Sequence, residues 1–373
     1  MKANIYICNN FSGNKVHSEM INKLSDDNVD INHIVFVPYS DDSVYGNNVF
    51  DKQNVIIEYI YVYKYLKFFP ILKSLFVLFF ILKKGRFYKL DWKKSSSLAY
   101  TFWSDGVLAF YLYLIYKTPY SVFLRITDIS VFFKYGYHLR PFFYFIANNA
   151  QLINFPSLIL KKKACIYSFL KNNVKKFIFL PNPLNEFWIE NAFHFDNLAK
   201  LEKKIIFVGT FNHNKNLKSI FHAVKILKQN RSDFSVEFIG GTELEFSQLC
   251  EVDSIPDWIV VTNSLPKDKL LYKYRAANIL LVPSFMETFG MVYIEAISQG
   301  CIAICSKNQG VDGLFERTKI LHAVDPYNID DIKNKINVLL DSNVVLSNAD
   351  LIALLKPFSS ESLTSMYNRN FNN

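Results

Sequence analysis

Short apolar runs that alternate with helical patterns constrain the fold of this chain most. In its second half the runs are KIIFVGT, FSVEFIGG, WIVVTN, NILLVPS and CIAICS. Segments 215–229, 267–276 and 291–299 lie between them and have the periodicity of helices. Strands that are apolar throughout are typical of parallel sheets, which are buried on both faces. The alternation therefore predicts an α/β domain with a parallel sheet.

The first half of the chain has a similar pattern. Its predicted strands are NIYICNN, HIVFVPY, NVIIEYIYV, SVFLRI, NAQLINFPS and KFIFLPN, with a helix at 15–24 after the first of them. The chain has 373 residues, and at roughly 150 residues per domain this length predicts two domains. We place the linker in the polar stretch 184–203, which gives domains at 1–184 and 185–355.

Composition excludes several classes of protein. Half of the residues are apolar, which excludes intrinsic disorder. No uninterrupted apolar run reaches about 18 residues, so no membrane-spanning helix is expected; the longest candidate, 68–82, contains Pro70 and Lys73. The N-terminal sequence lacks the apolar run of a signal peptide, so we expect a cytosolic protein. The five cysteines have neither disulfide nor zinc-site spacing.

Charge is distributed unevenly along the chain. Residues 61–180, called the basic segment, contain 19 Lys and Arg but only three acidic residues, Asp91, Asp105 and Asp128. The formal net charge of the whole chain is +9, so the remainder is acidic. This asymmetry predicts an anionic partner for one half of the protein.

The basic segment is also rich in aromatic residues, as in YKYLKFFPILKSLFVLFFILKKGRFYKLDWKK. An anionic membrane surface fits this composition, because apolar side chains enter the interface while lysines meet the headgroups. Single-stranded nucleic acid is a second candidate partner, but no RNA- or DNA-binding motif is present, and we predict no nucleic-acid binding. A core helix with solvated lysines explains the same pattern without any partner.

Glycine is scarce and clustered. Seven of the 12 glycines lie between 209 and 313, at predicted strand ends and helix starts. In open α/β sheets ligands bind beyond the carboxyl ends of the strands, and helix N-termini attract anions there. The GxGxxG motif of dehydrogenases is absent. The second domain is therefore predicted to bind a phosphorylated ligand.

The segment 278–306 carries the clearest chemistry. A predicted strand is followed by a loop that contains Glu287 and by a helix that begins near Met291 and carries Glu295. This spacing allows both carboxylates to face the space to which the N–H groups around Gly290–Val292 point. Carboxylates accept hydrogen bonds from hydroxyls, and a helix N-terminus attracts phosphate. The segment suits a ligand that has both groups.

The sequence EtfGmvyiE, in which seven residues separate the two glutamates, resembles the donor site of family 4 retaining glycosyltransferases. The flanking VPS and AISQG are similar to the same family, as are GTFNHNKNLKSIFHA at 209–223 and LPKDKLLYKYRAANILLVPS. Weaker similarity covers WSDGVLAFYL, PYSVFLRITDI and the LPN of 180–182, so the resemblance extends over residues 100–340. It implies α/β architecture with two Rossmann-like domains facing a cleft, the GT-B fold. It also implies that residues 356–373 form a helix that returns to the first domain.

The resemblance implies roles for individual residues. Glu295 would bind the ribose hydroxyls of the donor, Glu287 the transferred sugar and Lys215 the diphosphate. The other donor-binding candidates lie around these three: Gly209, Thr210, Leu265, Phe289, Gly290, Met291 and Val292. In the first domain the resemblance implies catalytic roles for Arg125 and Asp128, which would face the cleft, and acceptor-side roles for Gly13 and Asp105. No cofactor and no metal are implied.

The chain departs from the family pattern at several positions. Thr210 stands where the family has an arginine, Asn216 where it has a glycine, and Pro183 replaces the glycine of Pro-Asn-Gly. The usual histidine of the first domain is not evident beside Arg125. We therefore expect diphosphate binding to depend on Lys215, helix N-termini and His213.

Each candidate also has a purely structural interpretation. Glu295 would stabilise the start of its helix, Lys215 would be a surface lysine, and Arg125 would pair with Asp128. His138 and His213 are expected at the surface. The acidic pairs are expected to be solvated rather than metal ligands: 26–27, 41–42 and 330–331.

The resemblance implies sugar transfer, with retained anomeric configuration, from a nucleotide diphosphate-sugar whose base, UDP or GDP, is undetermined. The acceptor would be a saccharide or a polyprenyl-linked oligosaccharide, in lipopolysaccharide, O-antigen or capsule biosynthesis at the cytoplasmic membrane face. Three alternatives stay open: a sugar-nucleotide epimerase of the same fold, a non-catalytic subunit with a degenerate site, and a nucleic-acid binder.

Overall fold

The computed structural model describes residues 1–9, 11, 15–42, 45–46, 52–192, 202–315, 318–342 and 347–371. They form two compact units. The first unit comprises Met1–Pro156, Leu160–Pro183 and Ser360–Asn373, and the second comprises Ser157–Ile159 and Leu184–Ser359. Each unit contains its own sheet.

The first unit has a seven-stranded parallel sheet in the order β3-β2-β1-β4-β5-β6-β7. Its strands are β1 Ala3–Ile7, β2 Asn32–Tyr39, β3 Val55–Tyr61, β4 Ser96–Ala99, β5 Tyr120–Phe123, β6 Ile153–Phe155 and β7 Phe177–Phe179. The helices up to residue 171 are α1 Lys15–Asp27, α2 Pro70–Phe87, α3 Gly106–Tyr116, α4 Arg140–Asn149, α5 Leu158–Ala164 and α6 Ser168–Lys171.

The second unit has a six-stranded parallel sheet in the order β10-β9-β8-β11-β12-β13. Its strands are β8 Lys203–Val208, β9 Phe234–Ile239, β10 Ile259–Thr262, β11 Ile279–Leu281, β12 Ile302–Ser306 and β13 Leu321–Val324. The remaining helices of the chain are α7 Glu186–Glu190, α8 Leu217–Asn230, α9 Glu243–Cys250, α10 Lys267–Ala276, α11 Met291–Ser298, α12 Ile329–Leu340, α13 Asn348–Leu355 and α14 Ser360–Asn368.

Burial explains why the strands are apolar throughout. Every residue of β1, β4, β5, β6, β11 and β12 is buried. A strand inside a parallel sheet has neighbours on both faces, so both of its side-chain rows need to be apolar or paired. The prediction of two parallel-sheet α/β domains is confirmed.

The last helix, α14, packs on the first unit. Leu363 and Tyr367 of this helix join an apolar cluster that contains Tyr6 of β1. The amide of Asn154 in β6 donates a 2.7 Å hydrogen bond to Asn370 Oδ1.

The polar stretch 184–203 differs from its prediction as a linker. Residues Glu186–Glu190 form α7, and Trp188 is 1% exposed within the core of the second unit. The Arg275 guanidinium donates to the carbonyl of Asn191, which holds the C-terminal end of α7 on α10. The middle of the predicted linker, residues 193–201, lies outside the described residues.

Two further properties of the described residues concern the length and hydrophobicity of their helices and the pairing of their cysteines. None of their helices is long and apolar enough to cross a membrane. None of their Cys side chains is in a disulfide.

Candidate functional site

The second unit brings Lys215 and Glu287 together at a defined place in its sheet. The chain runs from β8 to β9 and β10 on one side and reaches β11 on the other, so β8 and β11 flank the topological switch point. Lys215 follows β8 and Glu287 follows β11. The Lys215 Nζ lies 2.8 Å from Glu287 Oε2. Ligands of open α/β sheets bind at this position, beyond the strand ends.

Local capping holds Lys215 in place. The side chain of Asn212 accepts a hydrogen bond from Lys215 N at 3.2 Å and begins a single 3₁₀ turn over His213–Lys215. Asn216 follows with φ +60°, and its amide donates to the carbonyls of Pro283 at 3.1 Å and Pro326 at 2.7 Å. Asparagine tolerates this left-handed conformation, which otherwise favours glycine. The replacement of the family glycine by Asn216 is therefore compatible with an ordered loop.

Asn214 joins this turn to the loop 284–290, called the donor loop. Its carbonyl accepts from Phe285 N at 2.9 Å, and its side-chain amide exchanges two hydrogen bonds with the backbone of Met286. The imidazole of His213 stacks on the Phe285 ring, with centroids 5.5 Å apart. These contacts bring the Lys215 ammonium within reach of Glu287.

The backbone around Glu287 is fixed from the other side by the turn after β12. Gly310 N donates to the carbonyl of Glu287 at 3.0 Å. A Cβ on Gly310 would lie 2.5 Å from the carbonyl oxygen of Phe289, so this close approach requires glycine. Thr288 N donates to Glu287 Oε1 at 3.1 Å. The carboxylate is therefore bound by Lys215 through one oxygen and by the backbone through the other.

Gly290 starts α11 beside this carboxylate. Its φ is +87°, and an added Cβ would lie 2.3 Å from the ring of Tyr293 and 3.2 Å from Glu287 Cγ. No side chain caps this helix, and its first turn holds no acidic residue. The first N–H groups of a helix have no partner inside it, so they offer hydrogen bonds to an anion. The site thus combines the ammonium of Lys215, the carboxylate of Glu287 in the donor loop and the N-terminus of α11.

The remaining donor-side candidates lie around this group. Glu295 is half-buried on α11, near the buried phenol of Tyr274, whose pKa is raised by burial and by this carboxylate. Phe289 is 1% exposed in the core, so only its backbone is open to a ligand role. The other positions are placed as follows: Gly209 and exposed Thr210 directly after β8, half-buried Leu265 between β10 and α10, and half-buried Met291 and Val292 in the first turn of α11.

Asp128 of the first unit does not face solvent, which corrects its predicted orientation. It is fully buried, and its carboxylate accepts from the backbone N–H groups of Phe102, Trp103 and Arg125 at 2.8–3.1 Å. Burial raises its pKa to about 6, while these hydrogen bonds lower it. Asp128 thus orders the turns after β4 and β5.

Arg125 lies beside buried polar groups that sequence reasoning did not single out. Its Nε donates to the Tyr100 carbonyl at 3.1 Å, and its guanidinium stacks on the Phe123 ring. Among the described residues, Arg125 Nη2, His17 Nδ1 and Tyr100 Oη are buried without a hydrogen-bond partner. No sequence signal marks His17 and Tyr100, because only the fold brings His17 of α1 against Tyr100, which follows β4; their ring centroids are 4.2 Å apart.

Of the two acceptor-side candidates, Gly13 and Asp105, the structure describes only Asp105. Gly13 lies outside the described residues. Asp105 is fully buried and accepts hydrogen bonds from Asn9 N at 3.1 Å and Thr101 Oγ1 at 3.0 Å. Burial raises the pKa of Asp105 to about 7. Among the described residues, no group of three or more His, Cys, Asp or Glu side chains is placed to hold a metal ion.

Comparison with known proteins finds similarity for the second half of the chain. Residues 189–352 match the family model of glycosyl transferases group 1. The O-antigen chain mannosyltransferase B of Escherichia coli is 28% identical over 166 residues, 43% of each chain. The lipopolysaccharide 1,2-N-acetylglucosaminetransferase of Salmonella typhimurium is 24% identical over 152 residues, 38% of this chain and 40% of the relative. The aligned part thus spans less than half the length of each curated relative.

A solved structure shares the fold over nearly the whole chain. Sucrose-phosphate synthase from Thermosynechococcus elongatus superposes with a TM-score of 0.72 and 15% identity, covering 99% of this chain and 98% of that one. At such identity the likeness concerns the fold alone. Over residues 189–352 the match to the group 1 glycosyltransferase model confirms the resemblance that the paired glutamates indicate.

Proposed function

We propose that this protein is a retaining glycosyltransferase that moves a sugar from a nucleotide diphosphate-sugar to a saccharide acceptor. The observation that carries the proposal is the Lys215–Glu287 pair, 2.8 Å apart beside the uncapped start of α11 at the switch point of the second sheet. The match of this region to group 1 glycosyltransferases supports it. The names of the two curated relatives support an acceptor in O-antigen or lipopolysaccharide biosynthesis.

In this proposal, different residues of the second unit bind different groups of the donor. The Lys215 ammonium and the N–H groups of Gly290–Val292 bind the diphosphate and stabilise the negative charge that develops as it leaves. The Glu287 carboxylate accepts hydrogen bonds from hydroxyls of the transferred sugar, and Glu295 accepts from the ribose. The departing diphosphate draws the acceptor proton, so the reaction depends on charge stabilisation and positioning and needs no metal.

Enzyme assays test this proposal directly. UDP- and GDP-sugars are incubated with the protein and a lipid extract of the producing cells, and nucleoside diphosphate release is measured. We expect release with one base only, and at least a hundredfold loss in Glu287→Ala and Lys215→Ala. Glu251→Ala is the matched control, because Glu251 forms an exposed ion pair with Lys218 in the same unit. Near-wild-type turnover in Glu287→Ala or Lys215→Ala would refute the assignment.

The product and the donor distinguish the remaining possibilities. Proton NMR of the isolated product reports whether the anomeric configuration of the donor is retained. Epimerised donor in the absence of any acceptor would instead indicate an epimerase. Donor binding without turnover would indicate a non-catalytic subunit.

We further propose that the first unit binds an anionic membrane surface at the cytoplasmic face. Residues 59–90 contain seven Lys and Arg and no acidic residue. Ten large apolar side chains in this region are exposed: Tyr61, Tyr63, Tyr65, Phe68, Phe69, Ile71, Leu72, Leu75, Phe79 and Phe87. On α2, residues 72, 75 and 79 share one face, because side chains three and four positions apart are neighbours on a helix. Apolar side chains flanked by cations fit an anionic interface.

Vesicle flotation tests the membrane proposal. The combined variant Phe68→Ser, Leu72→Ser, Phe79→Ser should lose binding to phosphatidylglycerol vesicles. A control variant changes the similarly exposed Val260 and Val338 of the second unit to serine and should bind like wild type. Equal binding by all three proteins, or none by wild type at low salt, would contradict the proposal.

A further inference from the structure

A cavity lies at the switch point of the first sheet. β1 and β4 are neighbours there, while the chain continues from β1 into β2 on the other side. Beyond the carboxyl ends of these two strands is a cavity of about 140 Å³ bounded by α2. Its lining includes Asn9, Lys67, Lys73, Ser74, Trp103 and Ser104. All these residues belong to the first unit, so the cavity is separate from the donor loop.

The ammonium of Lys73 is held in a fixed orientation at this cavity. Its Nζ donates to Asn9 Oδ1 at 3.3 Å. Asn9 Nδ2 in turn donates to Asp105 Oδ1, which fixes the direction of the amide. An ammonium has three N–H donors, and this contact uses one of them. Lys73 therefore has donors left for a ligand in the cavity.

Two lysines, Lys67 and Lys73, line the cavity, and neither forms an ion pair with a described carboxylate. No carboxylate oxygen of the described part of the chain lies within 4 Å of Lys73 Nζ or Lys67 Nζ. The nearby Asp105 does not line the cavity; its carboxylate accepts hydrogen bonds from Asn9 and Thr101 and acts on Lys73 only as a charge beyond ion-pair distance, which raises the pKa of Lys73. Burial lowers the pKa of Lys73, as expected for a cation that is short of counter-charge. An anion would supply that charge.

The size of the cavity and its surroundings restrict the class of ligand that it can bind. The volume of about 140 Å³ equals that of four or five waters at about 30 Å³ each, which suits a phosphate group with part of a sugar but not a nucleotide. The helix whose Lys73 and Ser74 line the cavity exposes Ile71, Leu72 and Leu75 to solvent. One helix therefore presents a cation to the cavity and an apolar surface outside it.

We propose that this cavity binds the phosphate of an acceptor whose saccharide is joined through phosphate to a lipid, with Lys73 as the principal contact and Lys67 as a second. This inference rests on the proposed function and names the acceptor class. The lipid chain lies along the apolar residues of α2. The hydroxyl of Ser104 and the edge of Trp103 line the cavity and are available to the phosphate and the first sugar, whereas the Ser74 hydroxyl donates to the carbonyl of Ile71.

Binding of farnesyl phosphate tests the proposal, with farnesol and inorganic phosphate as comparison probes. Wild type should bind farnesyl phosphate at least tenfold more tightly than either comparison probe. Lys73→Met should weaken this binding about tenfold or more, the usual loss for a hydrogen bond to a charged group. Lys73→Arg should restore most of it. Lys93→Met is the matched control, because Lys93 is an exposed lysine of the same unit that lies outside residues 59–90 and does not line the cavity.

The outcomes separate the possible sources of phosphate. Equal affinity for farnesyl phosphate and inorganic phosphate, both lost in Lys73→Met, would overturn the lipid part and indicate a soluble phosphorylated acceptor. Equal effects of Lys73→Met and Lys93→Met would overturn the site itself. So would farnesol binding as tightly as farnesyl phosphate.

Nucleotide binding measured on the same proteins separates this inference from the proposed function. UDP or GDP affinity should be unchanged in Lys73→Met, because the donor residues lie in the second unit. If wild type binds farnesyl phosphate but neither UDP nor GDP, the glycosyltransferase proposal is refuted and the cavity remains a phosphate site. The converse result would refute the cavity alone.

Discussion

Changing Glu287 to glutamine should strengthen the binding of free nucleoside diphosphate while abolishing sugar transfer. In the structure the Glu287 carboxylate neutralises Lys215, and both side chains are about four-fifths buried. A diphosphate that binds Lys215 must compete with this carboxylate and is repelled by it. Glutamine keeps the size of the side chain and removes the charge, so the ammonium becomes fully available to phosphate.

The magnitude follows from the geometry of the pair. A phosphate oxygen bound to Lys215 Nζ at hydrogen-bond distance would lie about 5–6 Å from Glu287 Oε2, which is 2.8 Å from Nζ. At an effective dielectric constant of about 20, two unit charges at that separation repel by about 3 kcal/mol. Partial exposure and salt reduce this by about half, which leaves about 1.4 kcal/mol, a tenfold change in affinity.

Isothermal titration calorimetry with UDP and GDP measures the effect. Glu287→Gln should bind the preferred nucleotide about tenfold more tightly than wild type, and Lys215→Met should bind it at least tenfold more weakly. The matched control Glu251→Gln, from the exposed Lys218–Glu251 pair, should leave affinity unchanged. Weaker nucleotide binding in Glu287→Gln, similar to that in Lys215→Met, would refute a phosphate site at this ammonium.

Three predictions concern stability and are measured by urea unfolding. Burial raises the pKa of Asp105 to about 7, so its stabilisation is complete below about pH 4 and lost as pH rises through about 7. The free energy of unfolding of Asp105→Asn should therefore rise relative to that of wild type by about 3 kcal/mol between about pH 5 and pH 8, and a pH-independent difference would contradict this. Gly290→Ala should lower the free energy of unfolding by about 2–4 kcal/mol, and Gly46→Ala by about 1–2 kcal/mol. Both residues have positive φ, but of the two only the Cβ at 290 would meet a ring, that of Tyr293. Asn216→Ala leaves two buried carbonyls without their donor and should cost about 2–3 kcal/mol, and Asn216→Gly should recover the backbone part; equal losses in the two would contradict the role given to φ.

Strands that are apolar throughout were predictable because their burial is a property of the parallel sheet. The predicted helix 267–276 coincides with α10, and the run NILLVPS contains β11. That strand ends at Leu281, and Pro283 two residues later has no N–H for the ladder.

The strand β4 was missed because its sequence, SSLA, is short and half polar. Its two serines are buried, which the pattern of an apolar strand does not predict. The hydroxyl of Ser96 donates to the carbonyl of Phe371, 275 residues away. A partner so distant in sequence leaves no local pattern.

The charged residues of the candidate site were predictable from the sequence, but the contacts that hold them in place were not. Lys215 and Glu287 each follow a predicted strand, and parallel strands end at the same edge, so their proximity could be expected. The two-way hydrogen bonding of Asn214 with the donor loop and the close packing of Gly310 depend on loop geometry, which has no sequence period. The burial of Asp128 was not predictable either, because its three partners are backbone N–H groups.

The most direct test of a nucleotide-sugar site in the second unit is thermal unfolding with UDP and with GDP, for wild type and Glu295→Ala. A ligand at about 100 times its Kd adds about 2.7 kcal/mol of stability, and each kcal/mol raises Tm by roughly 2–4 °C in a domain of this size. We predict that one of the two nucleotides raises Tm of wild type by several degrees and that the shift is largely lost in Glu295→Ala. No shift of wild type with either nucleotide, at concentrations up to about 10 mM, would contradict the account.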